Sequence, residues 1–412
     1  MSWLVFGESN YTSPSCCLII HHERSTSPNT SAVSSDFEQD NDAYSLFASF
    51  DYHITDQFTA IFGVSYTNDQ KEITISQNNT DVFSSLDLDT ESTLFGVPIG
   101  SIPTLAPAVP TLKSLQFLPP MLGLPNGVED NKTDDSKTTW SLRLSYEIND
   151  NINVFATAAT GFKASSWNLS RYSSPFAADQ AALATAGIEE PNQVYGGRYA
   201  SPEEAMVYEI GIKTQFENGS FNATIFDQTI EGFQSSIFIG TGYVLANAGK
   251  QSTQGFEFDS NYNLTDDWSF TLAGTFLDPI YDSFEGASGI DGPTDLSGEK
   301  PAGIHEVSIT AGVVYNFEVF NGADGYVRAD YLYESDVKVA ENTPESLTRE
   351  VNSVNASTGL AFDNGVSVQL WVRNLTNDEY LLSAFPPPIQ SGSFNGYPNQ
   401  PRTFGANVSY QF

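Results

Sequence analysis

The chain has 412 residues, 40% of them hydrophobic and 13% aromatic, with a mean hydropathy of −0.24. Fifty-one acidic residues against 17 basic ones give a net charge of −34, which repels a phosphate backbone and excludes nucleic acid as a partner. No apolar run approaches the roughly 20 residues of a transmembrane helix, and the adjacent Cys16 and Cys17 cannot build a disulfide framework.

Residues 1–40 are serine-rich and lack sustained alternation, so they are left unassigned and expected to be disordered or truncated. Met1 to Phe6 have neither the basic start nor the apolar core of a secretory signal. His21-His22-Glu23 carries metal-ligating side chains, but adjacent histidines diverge and no third ligand is placed. No metal site, cofactor or catalytic residue is assigned.

From residue 41 the chain reads as one alternating strand after another, which points to an all-β fold. Tyr44, Leu46, Ala48, Phe50, Tyr52 and Ile54 share a face, with Ser45, Ser49, Asp51 and His53 opposite; His53 is placed to line a lumen. Trp140, Leu142, Leu144, Tyr146 and Ile148 oppose Ser141, Arg143, Ser145 and Glu147. Tyr208, Ile210, Ile212 and Phe216 oppose Glu209, Lys213 and Gln215, and Phe256, Phe258, Tyr262 and Leu264 oppose Glu257, Asp259, Asn261 and Asn263. Val366, Val368, Leu370 and Val372 oppose Ser367, Gln369 and Arg373. One stretch breaks the pattern: Asp227 falls in register with Phe221, Ala223 and Ile225, which suggests a bulge or a rim position. The last strand is the cleanest, with Phe404, Ala406, Val408, Tyr410 and terminal Phe412 on one face and Thr403, Gly405, Asn407, Ser409 and Gln411 on the other.

Short turns at residues 55–57, 149–151, 217–219, 265–267 and 363–365 join these strands as hairpins. Long stretches lie between them, at roughly 70–137, 163–203, 232–245, 279–303, 336–350 and 374–401. A membrane barrel has this alternation because one rim carries short turns and the other carries external loops, whereas a soluble sandwich has no reason for it. The Pro-rich segment 98–125 reads as an extended external loop. Pro386-Pro-Pro388 with Phe394 and Tyr397 makes a stiff aromatic loop, and Phe394, Tyr397 and Pro387 are weak candidates for ligand contact.

About thirteen strands result, the first taken as Ala43 to Ile54. A complete up-and-down barrel with both ends on one rim needs an even number. The expectation is therefore an antiparallel transmembrane barrel over residues 41–412 whose beginning is missing.

Several blocks resemble the barrel of a TonB-dependent outer-membrane receptor. They are Gly161-Phe-Lys-Ala164, Pro202-Glu203 with Tyr208-Glu-Ile-Gly-Ile-Lys213, and Asn247-Ala-Gly249 with Gly255-Phe-Glu-Phe258. The most specific are Arg373-Asn-Leu-Thr-Asn-Asp-Glu-Tyr-Leu381 and Pro401-Arg-Thr-Phe-Gly405 before terminal Phe412, with Asn374, Leu375, Tyr380, Pro401, Arg402, Phe404 and Gly405 as the motif positions. The resemblance implies a barrel of about 22 strands around a plug, in the Gram-negative outer membrane, importing a scarce large solute, most often a ferric siderophore or other iron complex.

It further implies TonB–ExbB–ExbD as energy source, acting through a plug and TonB box that this chain does not show. Outer-membrane lipid and lipopolysaccharide are implied as surroundings. The barrel-assembly machinery is an implied partner, with Phe404, Val408, Tyr410 and Phe412 as the insertion signal. The competing readings are a passive porin-like or structural barrel, and TonB-dependent uptake of a saccharide or cobalamin. An enzyme is not expected.

Overall fold

A strand with strict two-residue alternation presents one face to each of two environments, and here thirteen such strands pair into one sheet. The computed structural model describes residues 33–79, 93–94, 97–98, 101, 103, 106–108, 132–168, 199–238, 243–289, 292–319, 322–386 and 392–412. The strands are β1 (Val33–His53), β2 (Phe58–Asn79), β3 (Lys132–Asn149), β4 (Ile152–Lys163), β5 (Glu203–Phe216), β6 (Gly219–Glu231) and β7 (Lys250–Asn263). They continue as β8 (Trp268–Ser283), β9 (Val307–Val319), β10 (Ala323–Lys338), β11 (Thr348–Phe362), β12 (Val366–Arg373) and β13 (Thr403–Tyr410).

Each strand pairs antiparallel with its sequence neighbour, giving an up-and-down barrel wall. Among the described residues no ladder joins β13 to β1. Two of the tight turns use the same device. Thr55 Oγ1 accepts from the N–H groups of Gln57 and Phe58 at 3.3 and 3.0 Å, and Thr265 Oγ1 accepts from those of Asp267 and Trp268, both at 3.2 Å. Asn149 and Asn364 close two others by accepting from the N–H two residues on. All these turns lie at one end of the wall.

Because paired residues share a face, register sorts whole rows. Ser145, Phe155, Gly211, Thr224, Glu257, Thr275, Ser308 and Glu334 lie side by side across eight strands on the inner face. The adjacent row, Leu144, Ala156, Ile210, Ile225, Phe256, Phe276 and Val307, lies on the outer face. Trp140, Leu142, Tyr146, Tyr208, Ile210, Ile225, Leu272 and Leu370 are all exposed there. Soluble monomers rarely expose a continuous apolar face of this kind, which is what a membrane-barrel wall turns to the lipid. Buried apolar residues gather instead at the loop end, where Ala248, Tyr281, Phe284 and Ala287 pack with Phe233 and Leu296.

Two sets of boundaries differ from the sequence reading, and the structure decides one alternative that it left open. β1 starts at Val33 rather than Ala43, because Val33–Asp42 rise past the apolar band and are held by pairing with β2 rather than by alternation. The connection after Asn79 is shorter than read and the one after Glu231 longer, and several carry hairpins of their own, such as Gln234–Phe238 with Tyr243–Asn247 and Leu381–Phe385 with Asn395–Pro398. Asp227 is not at a bulge, since β6 keeps unbroken register with both neighbours through it. It stands at the top of the apolar band, in a row with Gln254 and Asp278, and accepts from Gln254 Nε2 at 2.8 Å. Cys16, Cys17, His21, His22, Glu23, Pro387 and most of the segment 98–125 lie outside the described residues.

The face assignment predicts labelling. Single cysteines at Tyr44, Phe50, Trp140, Tyr146, Tyr208, Phe258 or Leu370 should react with lipid-confined maleimides, and cysteines at Arg143, Lys213, Glu257 or Arg373 should react only with water-soluble reagents. Reversal of the two sets would show that the register is off by one residue.

Candidate functional site: the lumenal wall and the terminal clasp

β12 and β13 have only eight residues each, fewer than the nine to eleven or so of a full span. A side-chain clasp takes over where their ladder stops. Asn374 and Asn377 adopt left-handed backbone angles (φ 51° and 55°), which asparagine tolerates better than most residues, and the chain folds back over β11. Asn374 is 7% exposed. Its Oδ1 accepts from the Asp378 N–H at 2.8 Å, and its Nδ2 donates to the carbonyls of Asp378 at 2.9 Å and Gln400 at 3.2 Å.

The clasp is tied to β11 through Asn374 N to Asn355 Oδ1 at 3.0 Å, Leu375 N to Val354 O at 2.7 Å and Asn352 N to Asp378 Oδ2 at 2.6 Å. It is tied to the start of β13 through Arg402 N to Asn377 Oδ1 at 3.1 Å and Arg402 Nη1 to Leu375 O at 3.3 Å. Tyr380 and Asn399 exchange bonds at 2.9 and 3.0 Å. Burial, with Glu334 and Asp378 nearby, holds the Tyr380 phenol above its ordinary pKa. The motif positions Asn374, Leu375, Tyr380 and Arg402 are thus brought together at one junction, with Pro401 in the link between Gln400 and Arg402, while Phe404 and Gly405 pair with Val372 and Trp371 in the ladder just beyond it.

The inner face carries aromatic residues that alternation did not reveal: Phe155, Phe226, Tyr326 and Trp371. Each lies against a glycine of the next strand. A Cβ on Gly211 would meet the Phe155 ring at 2.5 Å, one on Gly359 the Tyr326 ring at 2.6 Å and one on Gly405 the Trp371 ring at 2.5 Å; one on Gly255 would strike Phe226. Only a residue without a side chain lets the ring lie flat on the neighbouring strand. Between β9 and β13 the wall forms a shallow cavity of about 490 Å³, whose lining includes Tyr326, Arg328, Asp330, Gln369, Trp371 and Arg373. Asn407 Nδ2 donates to Gln369 Oε1 at 3.1 Å and Gln369 Nε2 to Tyr326 Oη at 2.7 Å, while Arg328 is held by Asp330 at 2.8 Å and Arg373 lies 5.4 Å from the Trp371 ring.

At the loop end, Arg349 donates to His305 Nε2 at 3.1 and 3.2 Å and to the Leu382 carbonyl at 3.0 Å, with Glu334 Oε2 3.2 Å from the same imidazole nitrogen. Tyr397 is exposed on the last loop hairpin with its ring 5.9 Å from Phe385, and Phe394 beside it is half-buried.

With this geometry, the comparisons with known proteins decide the family. The family model described as TonB dependent receptor-like, beta-barrel matches residues 7–375. The chain belongs to the TonB-dependent receptor family. Solved structures with the same fold include the ferric yersiniabactin uptake receptor FyuA from Yersinia pestis, with a TM-score of 0.64 and 16% identity, covering 92% of this chain and 47% of that one. The siderophore receptor PiuA from Acinetobacter baumannii (TM-score 0.58, 17% identity) covers 90% of this chain and 43% of its own. The ferric-catecholate import receptor Fiu from E. coli K12 in its closed form (TM-score 0.58, 17% identity) covers 91% and 45%. The pesticin receptor of Yersinia pestis is 24% identical over 164 residues, 40% of this chain and 21% of that protein. This TonB-dependent receptor chain therefore spans under half the length of each of these three solved receptors.

Substitutions at Asn374 and Gly405 test the junction, with Asn407 as the control. Asn374→Ala removes the side-chain hydrogen bonds to Asp378, Gln400 and Thr376 at a left-handed position and should destabilise the barrel by about 2–4 kcal/mol. Asn407→Ala, at an exposed lumenal amide, should stay within about 1 kcal/mol. Gly405→Val should destabilise by about 1–3 kcal/mol through overpacking against Trp371, and the penalty should shrink in a Trp371→Ala background. Urea midpoints of the refolded chain in micelles measure both; equal midpoints for the two asparagine variants would remove the clasp's role.

Proposed function

We propose that this chain is the barrel portion of an integral receptor of the Gram-negative outer membrane that imports a ferric siderophore or related iron complex, energised by TonB–ExbB–ExbD. The observation that carries the reading is the family match across residues 7–375, which falls on a wall whose long connections all lie opposite its tight turns. The names of the similar receptors support an iron-complex cargo: ferric yersiniabactin for FyuA and ferric catecholate for Fiu. The role is transport, and no step of covalent catalysis is assigned to any residue.

In this reading the loop-end hairpin meets the cargo first. Tyr397, exposed beside Phe385, and half-buried Phe394 offer aromatic faces, and Pro386 stiffens the approach; Pro387 is retained with them from the sequence. Lipid and lipopolysaccharide contact the outer face. The terminal strand is the signal read by the barrel-assembly machinery: Phe404, Val408 and Tyr410 are all exposed on its outer face, and Phe412 projects beyond β13 with its ring 6.3 Å from Tyr410.

Residues 33–412, exchanged for the matching part of a siderophore receptor's barrel in a receptor-deficient strain, should support uptake of siderophore-bound radioactive iron only when TonB is present. Phe394→Ala with Tyr397→Ala should lower that uptake several-fold. Equal passage of small sugars with and without TonB would instead establish a passive pore. In the same chimera, Phe412→Ala and Tyr410→Ala should lower the heat-modifiable, folded outer-membrane fraction, and Gln411→Ala should leave it unchanged. Three equal folded fractions would reject the insertion signal.

A further inference from the structure

Histidine is the side chain whose charge changes in the middle of the pH scale, so a buried one set between a cation and a carboxylate has two arrangements to choose from. His305, in the link from β8 to β9, is such a residue, with only 8% of its side chain exposed. A bulge seats it. The register of β10 against β11 shifts between Glu334 and Val337, which leaves Ser335 and exposed Asp336 out of that ladder. The Ser335 carbonyl accepts from His305 Nδ1 instead, and Ser335 Oγ accepts from the Val307 N–H at 3.0 Å.

A carbonyl can only accept, so Nδ1 carries a proton and Nε2 of the neutral ring is a bare acceptor. Arg349, opposite Val337 on β11, fills it with donors, Nε at 3.2 Å and Nη2 at 3.1 Å. Glu334 Oε2 lies 3.2 Å from the same nitrogen and cannot bond to it while it is bare. A proton on Nε2 reverses the preference: the N–H then donates to Glu334, and the ring meets the guanidinium as a like charge. The other ionisable groups around it are already engaged or neutral. Glu306 is paired with Lys300 at 2.7 Å, Asp378 accepts from the Asn352 N–H at 2.6 Å, and the Tyr380 phenol lies in the field of Glu334, Asp378 and Arg349. Arg349 also holds a loop. Its Nη1 donates to the Leu382 carbonyl at 3.0 Å, so the strand Leu381–Phe385 and its partner Asn395–Pro398, which carries Tyr397, are tied to β11 by the guanidinium that caps the imidazole.

We propose that His305 is a proton-sensitive latch: neutral, it seats Arg349 and holds the Leu381–Phe385 and Asn395–Pro398 hairpin to the wall, and protonated, it turns to Glu334 and frees the hairpin. Linkage gives the sign. With Arg349 in place a proton on Nε2 is opposed, and with Arg349 withdrawn Glu334 favours it, so the untied arrangement binds the proton more tightly and acid promotes it. The latch is independent of the import reading, because it rests on the groups around one imidazole.

Amide hydrogen exchange of the refolded full chain in micelles, corrected for the intrinsic effect of pH on exchange, tests it. Lowering the pH from about 8 to about 5.5 should speed exchange in Leu381–Phe385 and Asn395–Pro398 about threefold to tenfold, while the Gln234–Phe238 and Tyr243–Asn247 hairpin stays as it was. His305→Gln should abolish that pH dependence, Glu334→Gln should move it to lower pH, and Arg349→Gln should leave the hairpin in fast exchange at both pH values. Glu306→Gln, beside the histidine but paired with Lys300, should keep the parent profile. Should His305→Gln not fold, as judged by heat-modifiable mobility, the shift in Glu334→Gln carries the test. Equal exchange at both pH values in the parent, loosening of both hairpins together, or the parent's pH profile in His305→Gln (in Glu334→Gln where the former does not fold) overturns the latch.

Discussion

The wall depends on one requirement: inside a hydrocarbon layer every backbone N–H and C=O must find a partner within the protein, because an unsatisfied group there costs several kcal/mol. An antiparallel ladder in continuous register meets that requirement, and register then dictates everything about the side chains. Once Ser145 stands opposite Phe155 and Phe155 opposite Gly211, the faces of β3, β4 and β5 are fixed together, and a slip of one residue would turn Leu144, Ala156 and Ile210 inward as a set. The two-residue period is therefore a consequence of backbone satisfaction more than of any single apolar contact.

Register is in turn held by cross-strand pairs in which an aromatic ring lies on a glycine. Four face inward, Phe155 on Gly211, Phe226 on Gly255, Tyr326 on Gly359 and Trp371 on Gly405, and two face outward, Phe258 on Gly274 and Phe317 on Gly325. Each ring recovers contacts that a bare glycine strand would lose, and each glycine is the only residue that leaves room for the ring. The same pairing explains how large aromatics stand on a wall that is otherwise polar: they lie flat on the strand instead of projecting into the lumen. Three of these glycines, Gly211, Gly255 and Gly405, fall inside the sequence blocks that resemble the receptor family, so those blocks carry joints between strands.

Fold class, the thirteen-strand count and the outer face were legible because they depend only on local alternation, as in Trp140–Ile148 or Phe404–Phe412. The first ten residues of β1 were not, since Val33–Asp42 stand above the apolar band, where neither face has to be greasy and only pairing with Ile73 and its neighbours makes them a strand. The inner aromatics were invisible for another reason. Phe155 sits in Ile152–Lys163, where Ala156, Ala158 and Thr160 give the outer face too little contrast to show that Phe155 points the other way. The glycine opposite it was visible as a residue, but that it is opposite could be known only from register. For Asp227 the sequence left a bulge and a rim position open, since height above the tight turns, which the sequence does not give directly, decides whether an outward carboxylate meets hydrocarbon or water.

The last two strands show how side chains complete the ladder. β12 and β13 stop after eight residues while β11 continues upward, so the strip of β11 around Asn352–Asn355 would lack a neighbour. The Asn374–Tyr380 block fills that strip: Leu375 N reaches Val354 O, Thr376 Oγ1 donates to Asn352 O at 3.1 Å, and Asp378 accepts from Asn352 N. The same block holds Arg402, one residue before β13 begins, so the register of β13 against β12 is set from above by the clasp and from within by Trp371 on Gly405. These two restraints act on the strand that carries the terminal aromatic. A single junction thus serves two physical tasks, satisfying the backbone of β11 and fixing which face of Thr403–Tyr410 turns to the outside, and it does so with the residues that most closely resemble the family.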